Sequence, residues 1–182
     1  MNFIIKDDTL LTKQECTDII QWVFNNKNLI PDTNIENSEY NYCEIMDGAS
    51  GDSFGESLSN ISLQPIARAI TKLVNSYLEE YPETIPLDEW NVEYIRFKWW
   101  KPGYSYSVWH SEHSKSCPYR VLSFLIYLSD NDAETQFKRY ENVATKAGCG
   151  IIFPSYFTHH HRGSPCKMGL DRYVLSGYCS FV

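Results

Sequence analysis

The run YSYSVWHSEHSKS, residues 104–116, sets His110, Glu112 and His113 within four positions. His110 and Glu112 stand two apart, in a stretch that reads as the end of a strand. Alternate side chains of an extended chain point the same way, so one imidazole and one carboxylate share a face. That pair supplies two ligands of a divalent metal ion. A third ligand must come from elsewhere, and His159, His160 and His161, which follow the apolar run CGIIFPS, are the candidates. Taken alone, His-x-Glu describes a solvated turn as readily as a metal site.

Two histidines and one carboxylate leave coordination positions open, the ligand set of non-haem Fe(II) oxygenases. A second feature bears on the same chemistry. Arg172 lies eleven residues beyond His161 and shares its parity with Val174, Ser176 and Tyr178 in RYVLSGYCSF. A guanidinium turned into a barrel interior is unfavourable without an anion. An internal carboxylate would satisfy it, and so would the carboxylate of a ligand held bidentately; an outward-facing arginine would need neither.

The elements that must position these residues are legible by their periods. Thr12 with Glu15 forms a capping box before a helix over 13–26, with Cys16, Ile19, Ile20 and Val23 on one face. Pro65 suits the first turn of a second helix over 65–81, where Ile66, Ile70, Leu73, Val74, Tyr77 and Leu78 recur at helical spacing and Pro82 ends it. Between them, residues 31–61 are rich in Asn, Asp, Ser and Gly. They read as a long loop with a short strand around Glu39 to Ile45, of the length that serves as a lid. From residue 91 the period becomes two. NVEYIRFKWW places Ile95, Phe97 and Trp99 on one face, RVLSFLIYLS reads as a strand buried on both sides, and ETQFKRY, CGIIFP and RYVLSGYCSF follow. The expected fold is mainly β: a double-stranded β-helix, or jelly roll, over 91–182, with two N-terminal α-helices packed outside it, all in one domain spanning 1–182.

Composition narrows the function classes. Hydrophobic residues make up 43% of the 182 and aromatics 15%, enough for a core and against disorder. The net charge of −7 disfavours nucleic acid and anionic membranes as partners. No apolar run approaches the roughly 18 residues of a membrane span, and the N-terminus has no secretory pattern. Cysteines at 16, 43, 117, 149, 166 and 179 form no CxxC pair and read as reduced, mostly buried thiols of a cytoplasmic protein.

Residues 91–181 resemble the 2-oxoglutarate- and Fe(II)-dependent dioxygenases, in their prolyl 4-hydroxylase-like branch. The resemblance is carried, in order, by WKPG at 100–103, HSE at 110–112, Arg120, IYLSD at 126–130, AETQF at 133–137, IIFPS at 151–155, HRGSP at 161–165 and DRYVL at 171–175. It implies that His110, Glu112 and His161 bind Fe(II), His161 being favoured over its neighbours because Pro165 stands four residues after it. It implies that Arg172 pairs with the distal carboxylate of 2-oxoglutarate and that the Tyr127 hydroxyl joins it there, while Glu134, Thr135 and Phe137 are architectural. The implied cofactors are Fe(II), 2-oxoglutarate as cosubstrate and O2, with ascorbate as an optional reductant. The implied reaction is hydroxylation of an unactivated C–H bond, of a prolyl residue in a peptide or protein or of a small molecule, with succinate and CO2 as co-products.

Three positions depart from the family pattern. Glu112 stands where Asp is usual, Trp100 where many relatives have a Tyr near the cosubstrate, and Asp132-Ala133 where Gly-Gly is usual. Retention of a carboxylate disfavours a halogenase. His113, His159 and His160 have no family role and are expected at the rim or beside the ligands. The rival readings are a cupin-like metal-binding barrel without oxidative chemistry and a silent binding domain; Arg172 with Tyr127 argues against the first and the intact ligand set against the second.

Overall fold

The computed structural model describes residues 2–33, 39–82 and 90–181. In chain order the elements are β1 (Ile5–Asp7), α1 (Lys13–Asn26), β2 (Ile30–Asp32), β3 (Tyr40–Asp47), α2 (Phe54–Ser57), α3 (Gln64–Glu80), β4 (Trp90–Trp100), β5 (Arg120–Tyr127), β6 (Glu134–Phe137), β7 (Val143–Ala144), β8 (Gly150–Pro154), β9 (His161–Gly163) and β10 (Arg172–Phe181). Seven strands form one antiparallel sheet in the order β1-β8-β5-β10-β4-β3-β2, and three form a second in the order β7-β6-β9.

The start of α1 follows from its capping box. Thr12 Oγ1 accepts from Glu15 N–H at 3.2 Å, and Glu15 Oε2 accepts from Thr12 N–H at 2.8 Å. Such a cap contributes about 1 kcal/mol. Burial contributes more, roughly 1.5–3 kcal/mol for each large apolar side chain, so packing decides where the helices lie. Ile19 and Val23 of α1 and Ile66, Ile70 and Leu73 of α3 share one core with Ile95 and Phe97 of β4 and Leu175 and Cys179 of β10. The helices therefore cover the odd-numbered face of these central strands. The opposite face turns inward: Trp100 of β4, Val174 of β10 and Tyr127, paired with Val174 on β5, form a second core with Phe137 and Val143 of the small sheet. Two antiparallel sheets around a common interior, with helices outside, make the expected jelly-roll arrangement.

The structure adds to and corrects the sequence reading in three places. There are three α-helices among the described residues, the third being the one-turn α2. Residues 31–61 are not one loop: β3 is eight residues long and pairs along β4, while residues 34–38 lie outside the described part. A register shift between Glu44 and Met46 lets Ile45 and Met46 both be buried, which hides the strand's alternation in sequence. Finally, β4 ends at Trp100 and His110 lies beyond it in an isolated bridge, not at a strand end. All six thiols are free, and five are buried.

Candidate active site

His110 and His161 are brought together by the backbone. Each donates its N–H to the other's carbonyl, at 3.1 and 3.0 Å, forming a one-pair antiparallel bridge. Side chains of such a pair lie on the same side, and the two imidazole centroids are 4.4 Å apart. Glu112 is set by a second anchor: its N–H and that of His113 both donate to the carbonyl of Ser155, at 3.1 and 2.9 Å. Ser155 follows β8, so the near side of the site is tied to the strand that leads to the far side.

The ring nitrogens define what these groups can hold. His110 Nδ1 lies 2.9 Å from the carbonyl of Val108, and His161 Nδ1 lies 3.0 Å from that of His159. A carbonyl only accepts, so each neutral ring donates there and keeps Nε2 as a lone pair. Both Nε2 atoms face Glu112 Oε1, at 3.2 and 4.0 Å. Ligand atoms of His110, Glu112 and His161 all lie within 4.8 Å of one another. Three acceptors thus converge with no hydrogen of their own between them, which is the requirement of a cation. Burial, and next the proximity of His110, push the His161 imidazolium down to about 3. The ring is therefore neutral and available as a ligand over the physiological range. Burial raises the Glu112 carboxyl, but its polar neighbours, His110 first and then Lys98 and His161, outweigh that and hold it at about 2.

The longer glutamate is braced from behind. Tyr178 and Glu112 line the same cavity. Arg120 Nη1 lies 3.8 Å from Glu112 Oε2, and its guanidinium stacks 3.8 Å above the Tyr178 ring. Arg120 is itself fixed by Glu93, at 3.0 to 3.3 Å, and Glu93 accepts from Ser180. Oε2 is thereby engaged by the protein while Oε1 faces the histidines. Sequence reading found Arg120 as a matching position but not its partner, since Glu93 is 27 residues away on another strand.

Arg172 lies in the same cavity as these residues, as do Lys98, Trp100, Tyr106, Thr135 and Ser176. It is 4% exposed, and among the described residues its guanidinium hydrogen-bonds to Thr135 Oγ1 alone, at 3.3 Å. Arg172 Nε, Trp100 Nε1 and Ser176 Oγ are buried without partners among the described residues. Gly163 makes room for the guanidinium: a Cβ there would sit 2.9 Å from Arg172 Nη1. A buried cation with open donors fits an anionic ligand, and a dicarboxylate that reaches from Arg172 toward the three acceptors fits both ends. Tyr127, expected to touch that ligand, sits one layer behind; its hydroxyl meets Thr135 Oγ1 at 2.8 Å, and Thr135, expected to be architectural, lines the cavity. Trp100, whose role the sequence left open, presents its free indole N–H there.

The remaining histidines fall outside the cluster. His159 is buried, with Nε2 at 2.9 Å from the carbonyl of Asn2 and Nδ1 at 2.9 Å from Thr158 Oγ1. His113 Nδ1 meets the carbonyl of Arg120 at 3.3 Å, and its ring lies against Tyr156. His160 takes no part in the group of converging ligand atoms.

Two outcomes are expected from Mn(II) titration followed by electron paramagnetic resonance. Of single alanine variants at 159, 160 and 161, only His161→Ala loses tight binding; retention by that variant would exclude it as a ligand. Arg120→Met weakens binding about 10- to 100-fold, the usual effect of removing a group that orients a ligand, and Arg120→Lys restores part of it. Unchanged affinity in Arg120→Met would mean that Glu112 needs no brace.

No protein-family model matches the chain, and no curated protein matches it. Solved structures do match. One is the viral collagen prolyl hydroxylase of Paramecium bursaria Chlorella virus-1 in complex with 2-oxoglutarate: 19% identity over 100% of this chain and 97% of that one, TM-score 0.69. Another is the prolyl hydroxylase of Trichoplax adhaerens in complex with a peptide fragment of the hypoxia-inducible factor oxygen degradation domain: 12% identity over 100% and 84%, TM-score 0.69. A third is an oxidoreductase of the 2OG-Fe(II) oxygenase family from Burkholderia pseudomallei: 13% identity over 98% and 85%, TM-score 0.67. The chain has the fold of the 2-oxoglutarate- and Fe(II)-dependent oxygenases, prolyl hydroxylases among them.

Proposed function

We propose that this protein is a 2-oxoglutarate- and Fe(II)-dependent oxygenase that hydroxylates an unactivated C–H bond. The observation that carries the reading is a buried Arg172, paired with no carboxylate among the described residues, in the same cavity as the converging His110, Glu112 and His161. A non-oxidative metal-binding barrel has no use for that arginine. His110, Glu112 and His161 would hold Fe(II), leaving positions open as this ligand set does. Arg172 would hold the distal carboxylate of 2-oxoglutarate, with Thr135 Oγ1, Trp100 Nε1 and Ser176 Oγ as further polar groups on the wall. When bound, the iron and 2-oxoglutarate supply the oxidising chemistry, in which O2 is consumed, 2-oxoglutarate gives succinate and CO2, and the substrate gains a hydroxyl group.

The chain's own contribution is placement. The backbone bridge fixes both imidazoles, the hydrogen bonds to Val108 and His159 fix their tautomers, and the charge of Arg120, 3.8 Å from Oε2, restrains the carboxylate. Phe153 and Val174 contribute apolar surface to the cavity, which limits water around the reacting groups. In this reading residues 91–182 are the catalytic core and residues 1–90 its support. For the substrate, a peptidyl prolyl residue is the proposal, supported by the likeness to prolyl hydroxylases, one of them solved with a peptide.

Anaerobic titration with Fe(II) and 2-oxoglutarate is expected to give a metal-to-ligand charge-transfer band in the visible. Arg172→Ala should raise the 2-oxoglutarate concentration needed by more than about tenfold, since truncating one partner of a buried charge pair costs about 2–5 kcal/mol. Wild-type protein that loads metal fully and shows no band would contradict the oxygenase reading.

A further inference from the structure

One cation of the cavity is unused by the chemistry above. Lys98 is on β4, where it pairs in register with Val174 of β10 on one side and Tyr42 of β3 on the other. It shares the inward parity of Trp100 and lines the cavity with the converging ligands. Among the described residues it forms no ion pair and no hydrogen bond; its ammonium sits 5.6 Å from the centroid of the Tyr40 ring. Its neighbour Arg96, by contrast, is satisfied by Glu44 at 3.2 Å and by the Tyr42 and Tyr94 rings. Burial pushes the Lys98 ammonium down to about 8, with Glu112 foremost among the groups that oppose the shift.

The charge balance of the cavity gives this lysine a direction. Its wall carries Lys98, Arg162 and Arg172 against Glu112 alone. Arg162 lies over the Trp109 ring and donates to Gln136 Oε1, so it is engaged elsewhere. Fe(II) and the dianion of 2-oxoglutarate cancel each other, and Glu112 is then occupied as a ligand. An uncompensated cation remains at Lys98, half-buried on the cavity wall, where an anionic partner would be screened less than at an open surface. Trp100 and Tyr106 give the same cavity an aromatic lining, which suits the body of a small acid or a peptide side chain.

We propose, on the basis of the oxygenase reading, that Lys98 receives a carboxylate of the substrate, so that the enzyme acts on an acidic molecule whose carboxylate lies near the oxidised carbon. The carboxylate has two sources, the free α-carboxylate of an amino acid or the side chain of Asp or Glu next to the oxidised residue of a peptide. Calorimetric titration of the anaerobic Fe(II)- and 2-oxoglutarate-loaded protein separates them. The probes are L-proline against L-prolinamide, and N-acetyl-Gly-Pro-Asp-amide against N-acetyl-Gly-Pro-Asn-amide. At least one acid is expected to bind more than about tenfold tighter than its uncharged partner. Lys98→Met should erase the difference, Lys98→Arg should keep it, and the affinity for 2-oxoglutarate should stay within about twofold in both. Acids that bind no better than their amides overturn the proposal, as does an unaltered preference in Lys98→Met. A Lys98→Met variant that instead loses 2-oxoglutarate overturns it too, because the lysine would then serve the cosubstrate. Failure of wild-type protein to bind 2-oxoglutarate at all is a separate result, which removes the oxygenase reading and this proposal with it.

Discussion

Two reciprocal backbone hydrogen bonds, between His110 and His161, hold the site together. They join the loop between β4 and β5 to a strand of the small sheet and set the two imidazoles side by side. Everything else is arranged around that bridge. Ser155 fixes Glu112 beside it, the carbonyls of Val108 and His159 fix the two tautomers, and Phe137, on the strand paired with β9, packs against the His161 ring. A backbone bridge tolerates no register slip, since a one-residue shift would turn one imidazole to the opposite face.

The second constraint is electrostatic. The cavity gathers cations around a single carboxylate, and each cation finds a distinct use. Arg120 is neutralised by Glu93 and braces Glu112. Among the described residues Arg172 pairs with no acid, and its Nε is buried without a partner. The length of Glu112 suits this arrangement: Oε2 lies toward Arg120, and Oε1 faces the histidines. Carboxylate length and supporting arginine therefore belong to one device.

Much of this was legible in the sequence, for physical reasons. The helices at 13–26 and 64–80 have wide apolar faces and, for the first, a capping box. Strands β4, β5 and β10 are long and have strong β-propensity, and the parity that groups Arg172 with Ser176 and Tyr178 holds in the cavity wall. Short strands of two or three residues, β7 and β9 among them, carry too few side chains to show a period. Strand β3 was obscured by polar neighbours and its register shift. At the site, the metal-ligand types and their spacing were readable, but contacts between distant strands were not. Glu93 behind Arg120, Thr135 in front of Tyr127, and Lys98 on the cavity wall each depend on which side chains face one another across the barrel. In Lys98 the sequence offers only a lysine amid tryptophans, with nothing to mark it as inward-facing beyond the parity it shares with Trp100.

In the proposed function His110, Glu112 and His161 would bind one metal ion, and Arg172 would hold the far end of a dicarboxylate beside it. An anaerobic crystal structure with Mn(II) and 2-oxoglutarate tests it most directly. The expected result is Mn(II) bound by the Nε2 atoms of both histidines and by Glu112 Oε1, with a carboxylate of 2-oxoglutarate paired to the Arg172 guanidinium. Metal bound through other residues, or 2-oxoglutarate lying away from Arg172, would contradict it.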